Sequence, residues 1–221
     1  MNGDHPSQQH DTLNDFEAAA AEKPRVVVLI SGNGSNLQAL LEAQQHDELG
    51  GGEIVAVVSN KADAALIKVV DRHEPHLVVL AGFMRILTPA FVDHYRGRML
   101  NIHPSLLPAY QGLNTHQRAL ADGVEEHGVS VHFVTEELDG GPVVIQAVVN
   151  VAPDQDIEAL LEKIHAREHL IYPIAVRWFI EGRVKLSPEG KVTLDNMPLP
   201  PTGLRMSHAD AAEELDEDLD D

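Results

Sequence analysis

The stretch MLNIHPSLLP, residues 99–108, decides the architecture around which the rest of the chain is arranged. An apolar strand candidate leads into it, and its two prolines then end regular structure and force an extended loop. Asn101 and His103 are two residues apart, so on a strand both side chains point to one face. An amide donor beside a titratable imidazole suits a carbonyl oxygen that gains negative charge during a reaction. The spacing alone is equally compatible with a capping asparagine and a surface histidine.

Apolar runs along the chain predict an α/β fold, namely a Rossmann-like, open and mostly parallel sheet with helices on both faces. Residues 26–30 form a continuous β-branched run, which is typical of a strand buried on both faces. Further strand patterns at 53–59 and 76–81 alternate with helical patterns. Such alternation favours parallel strands joined by right-handed crossovers.

Length and charge indicate one domain flanked by polar, acidic ends. The chain has 221 residues, a formal net charge of −19 and no cysteine, which excludes disulfides and thiol chemistry. Residues 1–24 are predicted to be a disordered extension, 25–205 the folded domain, and 206–221 an acidic disordered tail. No stretch reaches membrane-spanning length and the acidic balance disfavours nucleic acid. We therefore expect a cytoplasmic protein with neither a membrane nor a nucleic-acid partner.

A glycine turn after the first strand has the features of an anion site. Residues 31–36 read SGNGSN and precede a helical pattern, so free backbone N–H groups meet the positive end of a helix dipole there. Leu37 stands where a dinucleotide fingerprint requires its third glycine, and no Gly-Lys-Ser/Thr is present. A phosphomonoester therefore fits better than a pyrophosphate. A capped turn without a ligand is the alternative.

Two loops and one strand carry residues whose roles the pattern leaves open. Residues 82–87, GFMRIL, follow the third strand, and an apolar loop with one arginine suits either a flat heteroaromatic ring or ordinary loop packing. His132 lies on an alternating strand and could be a satisfied sheet histidine. Asp139 precedes two glycines, a pattern that normally indicates only a turn.

Residues 165–169 read HAREH and match the H-x-x-E-H pattern of some zinc peptidases. On a helix, His165 and His169 share a face. A peptidase also requires a third ligand on another element, and the sequence offers no evident one. We therefore expect no metal at this motif.

Residues 101–108, NIHPSLLP, resemble the signature of the folate-dependent formyltransferases. The likeness extends from about residue 25 to about residue 186, and within the family the chain is most similar to the branch that formylates phosphoribosylglycinamide. The core motif is shared with branches that act on methionyl-tRNA or hydrolyse formyltetrahydrofolate, so other segments must decide between them.

This resemblance implies an enzyme of purine biosynthesis, with residues 25–205 as its formyltransferase domain. It would transfer the formyl group of 10-formyltetrahydrofolate, the cosubstrate, to the amine of 5′-phosphoribosylglycinamide without a metal, as a monomer or weak homodimer. The methionyl-tRNA branch needs a basic C-terminal domain, whereas this tail is acidic, and the hydrolase needs a regulatory domain that 24 polar residues cannot supply. An inactive ligand-binding relative is the alternative from a different class.

The resemblance also implies roles for individual positions. Asn101, His103 and Asp139 are expected to be catalytic, and His132 is expected to support Asp139. Glu168 is expected to bind the ribose hydroxyls. The expected phosphate ligands are Gly34, Ser35 and Asn36, and the expected folate ligands are Phe83, Met84, Arg85, Ile86, Leu87 and Asp139.

One segment departs from the family pattern. Relatives have a further helix and strand between the counterparts of Ala64 and Ala65, which this chain joins directly. In the family fold the missing strand lies at the edge of the sheet, so its loss need not open the core. It does uncover a new edge strand, which is a liability for pairing with another chain.

Overall fold

The computed structural model describes residues 22–32, 34–59 and 66–207. Over these residues the chain forms ten strands and five helices. In chain order they are β1 (Arg25–Ile30), α1 (Ser35–Gln45), β2 (Glu53–Ser59), α2 (Leu66–Asp71), β3 (Leu77–Ala81), α3 (Pro89–His94), β4 (Met99–His103), α4 (Thr115–Asp122), β5 (Glu126–Phe133), β6 (Val143–Asn150), α5 (Ile157–Ile180), β7 (Val184–Leu186), β8 (Val192–Leu194), β9 (Met197–Pro198) and β10 (Leu204–Met206).

Seven strands form one sheet in the order β10-β6-β5-β4-β3-β1-β2. Neighbouring strands run parallel from β2 through β1 and β3 to β4, and β10 runs parallel to β6. Only β5 is antiparallel to its two neighbours, β4 and β6. The prediction of an open, mostly parallel α/β sheet is therefore confirmed. A small second sheet also forms, in which β8 pairs antiparallel with both β7 and β9.

Helices cover both faces of the large sheet, as predicted. On one face, α1 and α5 pack against alternate side chains of β1, β3, β4 and β5, with Tyr172 and Trp178 of α5 among the buried residues. On the other face, α2 and α3 bury the intervening side chains of β1 and β3 against Phe91 and Tyr95. Burial of alternate side chains on both faces explains why these strands read as continuous apolar runs.

The helix boundaries follow local capping chemistry. Thr88 caps α3, its hydroxyl accepting a hydrogen bond from the Phe91 N–H at 3.2 Å. Asp156 caps α5, and its carboxylate accepts from the backbone N–H groups of Glu158 and Ala159. The sequence leaves open whether Pro173 kinks or ends this helix, and in the structure α5 continues through the buried proline to Ile180. The apolar surface that this last part buries outweighs the one lost backbone hydrogen bond.

Strand β2 forms one edge of the large sheet. The sequence pattern at residues 60–63 predicts the start of a helix, but these residues lie outside the described ranges, and α2 is described from Leu66. The predicted extension and acidic tail also lie outside them, except at their inner ends, where Met206 is buried in β10. No helix in the described ranges combines the length and apolarity needed to cross a membrane.

Candidate functional site

The side chains of β4 alternate between the two faces of the sheet. Leu100 and Ile102 point into the core beneath α1 and α5, and Asn101 and His103 point to the opposite face. Because β1, β3 and β4 are parallel, the loops that follow them meet at one edge of the sheet, the edge where open α/β folds bind ligands.

His103 is buried and both of its ring nitrogens face acceptors. Its Nε2 lies 2.9 Å from the Tyr110 carbonyl oxygen, which can only accept, so this nitrogen carries a proton. Its Nδ1 lies 3.4 Å from the Asp139 carboxylate, and the Asp139 side chain is only 9% exposed. The ring is therefore held between a backbone carbonyl oxygen and a carboxylate.

Asn101 is oriented by a neutral histidine on the neighbouring strand. His132 Nδ1 lies 2.9 Å from the Phe133 carbonyl oxygen and must donate to it, and burial lowers the pKa of His132 to about 4. The unprotonated Nε2 then accepts a hydrogen bond from Asn101 Nδ2 at 3.1 Å. This bond leaves the second amide hydrogen of Asn101 available to a ligand. His132 Nε2 also lies 3.9 Å from the Asp139 carboxylate.

Asp139 occupies a strained position that its surroundings enforce. Its φ is +51°, in the left-handed region that residues other than glycine seldom adopt. The Gly112 N–H donates to its carboxylate at 2.9 Å, and Gln111 Nε2 donates to its carbonyl oxygen at 3.1 Å. Behind it, a Cβ at Gly141 would overlap the Phe133 carbonyl oxygen, so only glycine allows this close turn.

A buried polar network fixes residues 104–110, which follow His103. The Ser130 hydroxyl donates to the Ser105 carbonyl at 2.6 Å and accepts from the Leu107 N–H and from Gln146 Nε2. Gln146 also donates to the Leu107 carbonyl at 2.8 Å. Sequence reasoning did not identify these supports. The available signal was a serine and a glutamine inside apolar strands, since buried polar side chains require partners.

A cavity of about 100 Å3 lies beside Asn101, between the loop after β3 and the loop after β5. Its lining includes residues predicted for chemistry and for the folate ring, namely Asn101, His132, Asp139, Phe83, Arg85, Ile86 and Leu87. Met84, also predicted, does not line the cavity and is 69% exposed. The volume is below the roughly 300–1,000 Å3 of typical ligand pockets.

The glycine turn after β1 forms the other end of the site. Gly34 precedes the first residue of α1 with φ +77°, and Asn36 in the first turn is buried. Asn36 Nδ2 donates to Glu168 of α5 at 3.2 Å, which joins two residues predicted to bind phosphate and ribose. Burial raises the pKa of Glu168, an effect that the Asn36 hydrogen bond partly offsets. The Asn36 Oδ1 atom is buried and has no hydrogen-bond partner among the described residues.

A second cavity of about 480 Å3 opens beside this turn, between α1 and α5. Gly34 and Ser35 line it from α1, and His169 and Pro173 line it from α5. Its size lies within the range of small-molecule sites, and the start of an α-helix supplies backbone N–H donors for an anion.

The H-x-x-E-H motif does not bring its three side chains to one point. Glu168 is buried against Asn36, whereas His165 is exposed, and its ring stacks on that of His169 with centroids 6.5 Å apart. Within the described residues, no group of three or more such side chains is placed to hold a metal ion. The expectation that no metal binds here stays a prediction.

Comparison with known proteins agrees with this geometry. The sequence matches the formyl transferase family over residues 24–68 and 62–176. The chain belongs to the formyl transferase family. The two matched ranges overlap at residues 62–68, where the sequence is expected to depart from the family pattern.

Two members of this family illustrate the similarity. The phosphoribosylglycinamide formyltransferase of Escherichia coli K12 is 48% identical over 207 positions, covering 80% of this chain and 97% of the relative. Since 80% of 221 residues is about 177, about 30 aligned positions hold no residue of this chain, as a missing helix and strand require. A Coxiella burnetii phosphoribosylglycinamide formyltransferase, solved in complex with CHES, is 46% identical, with a TM-score of 0.78 over 84% of this chain and all of the other.

The family also includes hydrolases, and these are less similar to the chain. A formyltetrahydrofolate deformylase from Pseudomonas syringae is 31% identical with a TM-score of 0.73, and the match covers 79% of this chain but only 66% of the other. The hydrolase alternative is therefore the weaker one, because a third of that protein has no counterpart in the match.

Proposed function

We propose that this protein transfers the formyl group of 10-formyltetrahydrofolate to the amine of 5′-phosphoribosylglycinamide, a step of purine biosynthesis. Two arguments support the proposal. The relatives named phosphoribosylglycinamide formyltransferase match this chain over nearly their whole length. The fold brings an amide donor, a histidine and a carboxylate to one edge of the sheet, beside a helix start suited to a phosphate.

In this reaction the substrate amine attacks the formyl carbon and forms a new C–N bond. The electrons of the carbonyl double bond move onto oxygen, and a tetrahedral species with an oxyanion results. The second hydrogen of the Asn101 amide, oriented by His132, is the direct donor to this oxygen. A protonated His103 would add positive charge near this oxygen, and Asp139, 3.4 Å from its Nδ1, would stabilise that charge.

Collapse of this species breaks the bond between the formyl carbon and the folate nitrogen. The amine nitrogen must lose a proton and the departing folate nitrogen must gain one. Asp139 carries this proton through a water molecule while its carboxylate holds His103 in place. The overall step therefore requires neither a covalent intermediate nor a metal.

The folate and the nucleotide bind at different ends of the site. The folate ring enters the smaller cavity beside Asn101, along the loop of Phe83, Arg85, Ile86 and Leu87, while Met84 remains an assignment from the family alone. The phosphate binds at Gly34 and Ser35, which line the larger cavity, and at Asn36 in the first turn of α1. Asn36 and Glu168 line neither cavity, and Glu168, which accepts a hydrogen bond from Asn36, also accepts hydrogen bonds from the ribose hydroxyls.

The Asn36–Glu168 hydrogen bond is the observation that carries the nucleotide part of the proposal. It joins two residues 132 positions apart in the sequence at the start of α1. A hydrolase acting on folate alone has no need for a phosphate turn coupled to a buried carboxylate.

A turnover assay tests the proposal. The purified protein is incubated with 10-formyltetrahydrofolate with and without phosphoribosylglycinamide, and formylated nucleotide and free formate are followed by mass spectrometry. We expect formylated nucleotide only when both substrates are present, and loss of this product in Asn101→Ala. Formate release at the same rate without the nucleotide would instead identify a hydrolase. Saturable binding of both ligands without any product would identify an inactive binding relative.

A further inference from the structure

The loop of residues 110–113 supplies backbone groups that hold the two reactive side chains. The Tyr110 carbonyl accepts from His103 Nε2 at 2.9 Å, and the Gly112 N–H donates to the Asp139 carboxylate at 2.9 Å. The side chain of Gln111 donates to the Asp139 carbonyl at 3.1 Å. The position of this loop therefore sets the geometry of both His103 and Asp139.

The loop adopts a conformation that it does not favour by itself. Tyr110 has φ +55° and Asn114, directly after the loop, has φ +56°, both in the left-handed region where a side chain is costly. Gly112 also has a positive φ, of +77°. Strained backbone of this kind persists only where surrounding contacts determine it.

One side chain of α4 makes contact with three of the four loop residues. Arg118 Nη1 donates to the Gln111 carbonyl at 2.7 Å and lies 3.4 Å from the Leu113 carbonyl. The Arg118 guanidinium also lies over the Tyr110 ring, with its carbon 5.3 Å from the ring centroid. Charged donors to carbonyl oxygens make stronger hydrogen bonds than neutral ones.

Arg118 lies outside the substrate cavities. It lines neither the cavity beside Asn101 nor the one beside Gly34, and it is exposed to solvent. We therefore expect Arg118 to affect the reaction through the loop that it contacts.

We propose that Arg118 is a positioning residue, which holds the 110–113 loop so that its backbone aligns His103 and Asp139 for formyl transfer. The kinetic part of this inference rests on the proposed function. The structural part, control of the loop by Arg118, does not.

The test compares Arg118→Met with Arg183→Met in the full chain. Arg183 is a matched control because its guanidinium also lies over an aromatic ring, that of Trp178 at 5.8 Å, and pairs with an acceptor, Asp195, at 2.9 Å. Arg183 belongs to the hairpin of β7 and β8, away from the loop. Three quantities are measured for each variant: kcat, KM for each substrate, and the hydrogen-exchange rate of the Gly112 amide.

For Arg118→Met we expect kcat to fall about tenfold or more, because small misplacements of reacting groups are costly. KM should change by less than about threefold, since binding contacts are retained. Exchange of the Gly112 amide should accelerate, because its bond to Asp139 opens more often. Arg118→Lys, which keeps a cationic donor, should recover part of both effects. Arg183→Met should change the melting temperature only.

Unchanged kcat and unchanged Gly112 exchange in Arg118→Met would overturn the inference. An equal loss of kcat in Arg183→Met would also overturn it, because the effect would then be one of general stability. Failure of the proposed function gives a different result, namely no formylated nucleotide from the unmodified protein. In that case the exchange rate of Gly112 still decides whether Arg118 controls the loop.

Discussion

At the His103 end of the site each polar side chain is already partnered within the protein, whereas at the Asn36 end buried polar atoms are left over. His103 lies between Tyr110 and Asp139, and Asn101 donates to His132. At the other end, the Oδ1 atom of Asn36 and the Nε2 atom of His169 are buried with no hydrogen-bond partner in the described parts of the chain.

This difference suits the His103 end to the proposed chemistry and the Asn36 end to ligand binding. Groups that stabilise a developing charge act best when they are fixed before the substrate arrives, since no reorganisation is then needed during the reaction. Groups that bind a ligand must keep hydrogen-bonding capacity for it, and a buried atom without a partner is destabilising until the ligand satisfies it. Variants at the first end should therefore change kcat, and variants at the second end should change KM.

The largest effect on kcat is expected from substitutions at the His103 end of the site. Asn101→Ala removes the proposed oxyanion donor and should lower kcat by about a hundredfold to a thousandfold, with little change in KM. His103→Ala and Asp139→Asn should be similarly severe, and the double variant should lose much less than the product of the single losses, because the two act as a unit. Steady-state kinetics on the three variants tests this. An Asn101→Ala variant altered only in KM would contradict its role as an oxyanion donor.

Acidification should lower the stability of the protein, because buried histidines that are neutral in the folded state bind protons when the chain unfolds. Burial lowers the pKa of both His132 and His127 to about 4, below the value near 6.5 of an unfolded histidine. Below pH 6.5 the unfolded chain therefore binds more protons, and stability should fall as the pH drops from 6.5 towards 4. Each histidine contributes at most about 3 kcal/mol to this loss. The raised pKa of Glu168 acts in the opposite direction.

Denaturant unfolding at a series of pH values measures this dependence. Burial also lowers the pKa of His116 and His169, so His127→Gln removes one of several histidine titrations and should flatten the fall in unfolding free energy between pH 6.5 and 4. If the variant and the unmodified protein lost stability in parallel, burial of His127 would not be the cause.

At the binding end, Glu168→Gln and Asn36→Ala should raise KM for the nucleotide by about tenfold to a hundredfold, the value of one hydrogen bond to a charged group. Because neither residue touches the formyl group in the proposed mechanism, kcat and KM for the folate should stay nearly constant. Kinetics with each substrate varied in turn checks the split. A loss of kcat without a change in nucleotide KM would place these residues in the chemistry instead.

The last prediction concerns stability and compares alanine substitutions at two glycines. A Cβ at Gly34 would meet no atom within 4 Å, so Gly34→Ala should cost only the strain of its φ of +77°, about 1–2 kcal/mol. Gly141→Ala should destabilise the protein more, because its Cβ would overlap the Phe133 carbonyl behind Asp139. Thermal melts of both variants test this. Equal losses of melting temperature would show that the Asp139 turn is no more tightly packed than the phosphate turn.

The sequence by itself determined those features that depend on neighbouring residues. Asn101 and His103 share a face because strand side chains alternate, and the glycine turn before α1 follows from a strand, a glycine and a helix start in succession. The caps at Thr88 and Asp156 follow from short side-chain oxygens placed just before a helix. Each of these depends on contacts within a few residues, so residue type and spacing were sufficient.

Only the tertiary structure decided which distant groups meet. Asp139 and His103 are 36 positions apart, and their distance depends on a strained turn that no local pattern shows. The Asn36–Glu168 contact depends on how α1 and α5 pack across the sheet. The groups at Tyr110 and Gly112 that hold His103 and Asp139 are backbone atoms, which every residue type carries. Their role depends on the path of the chain alone, and residue identity could not reveal it.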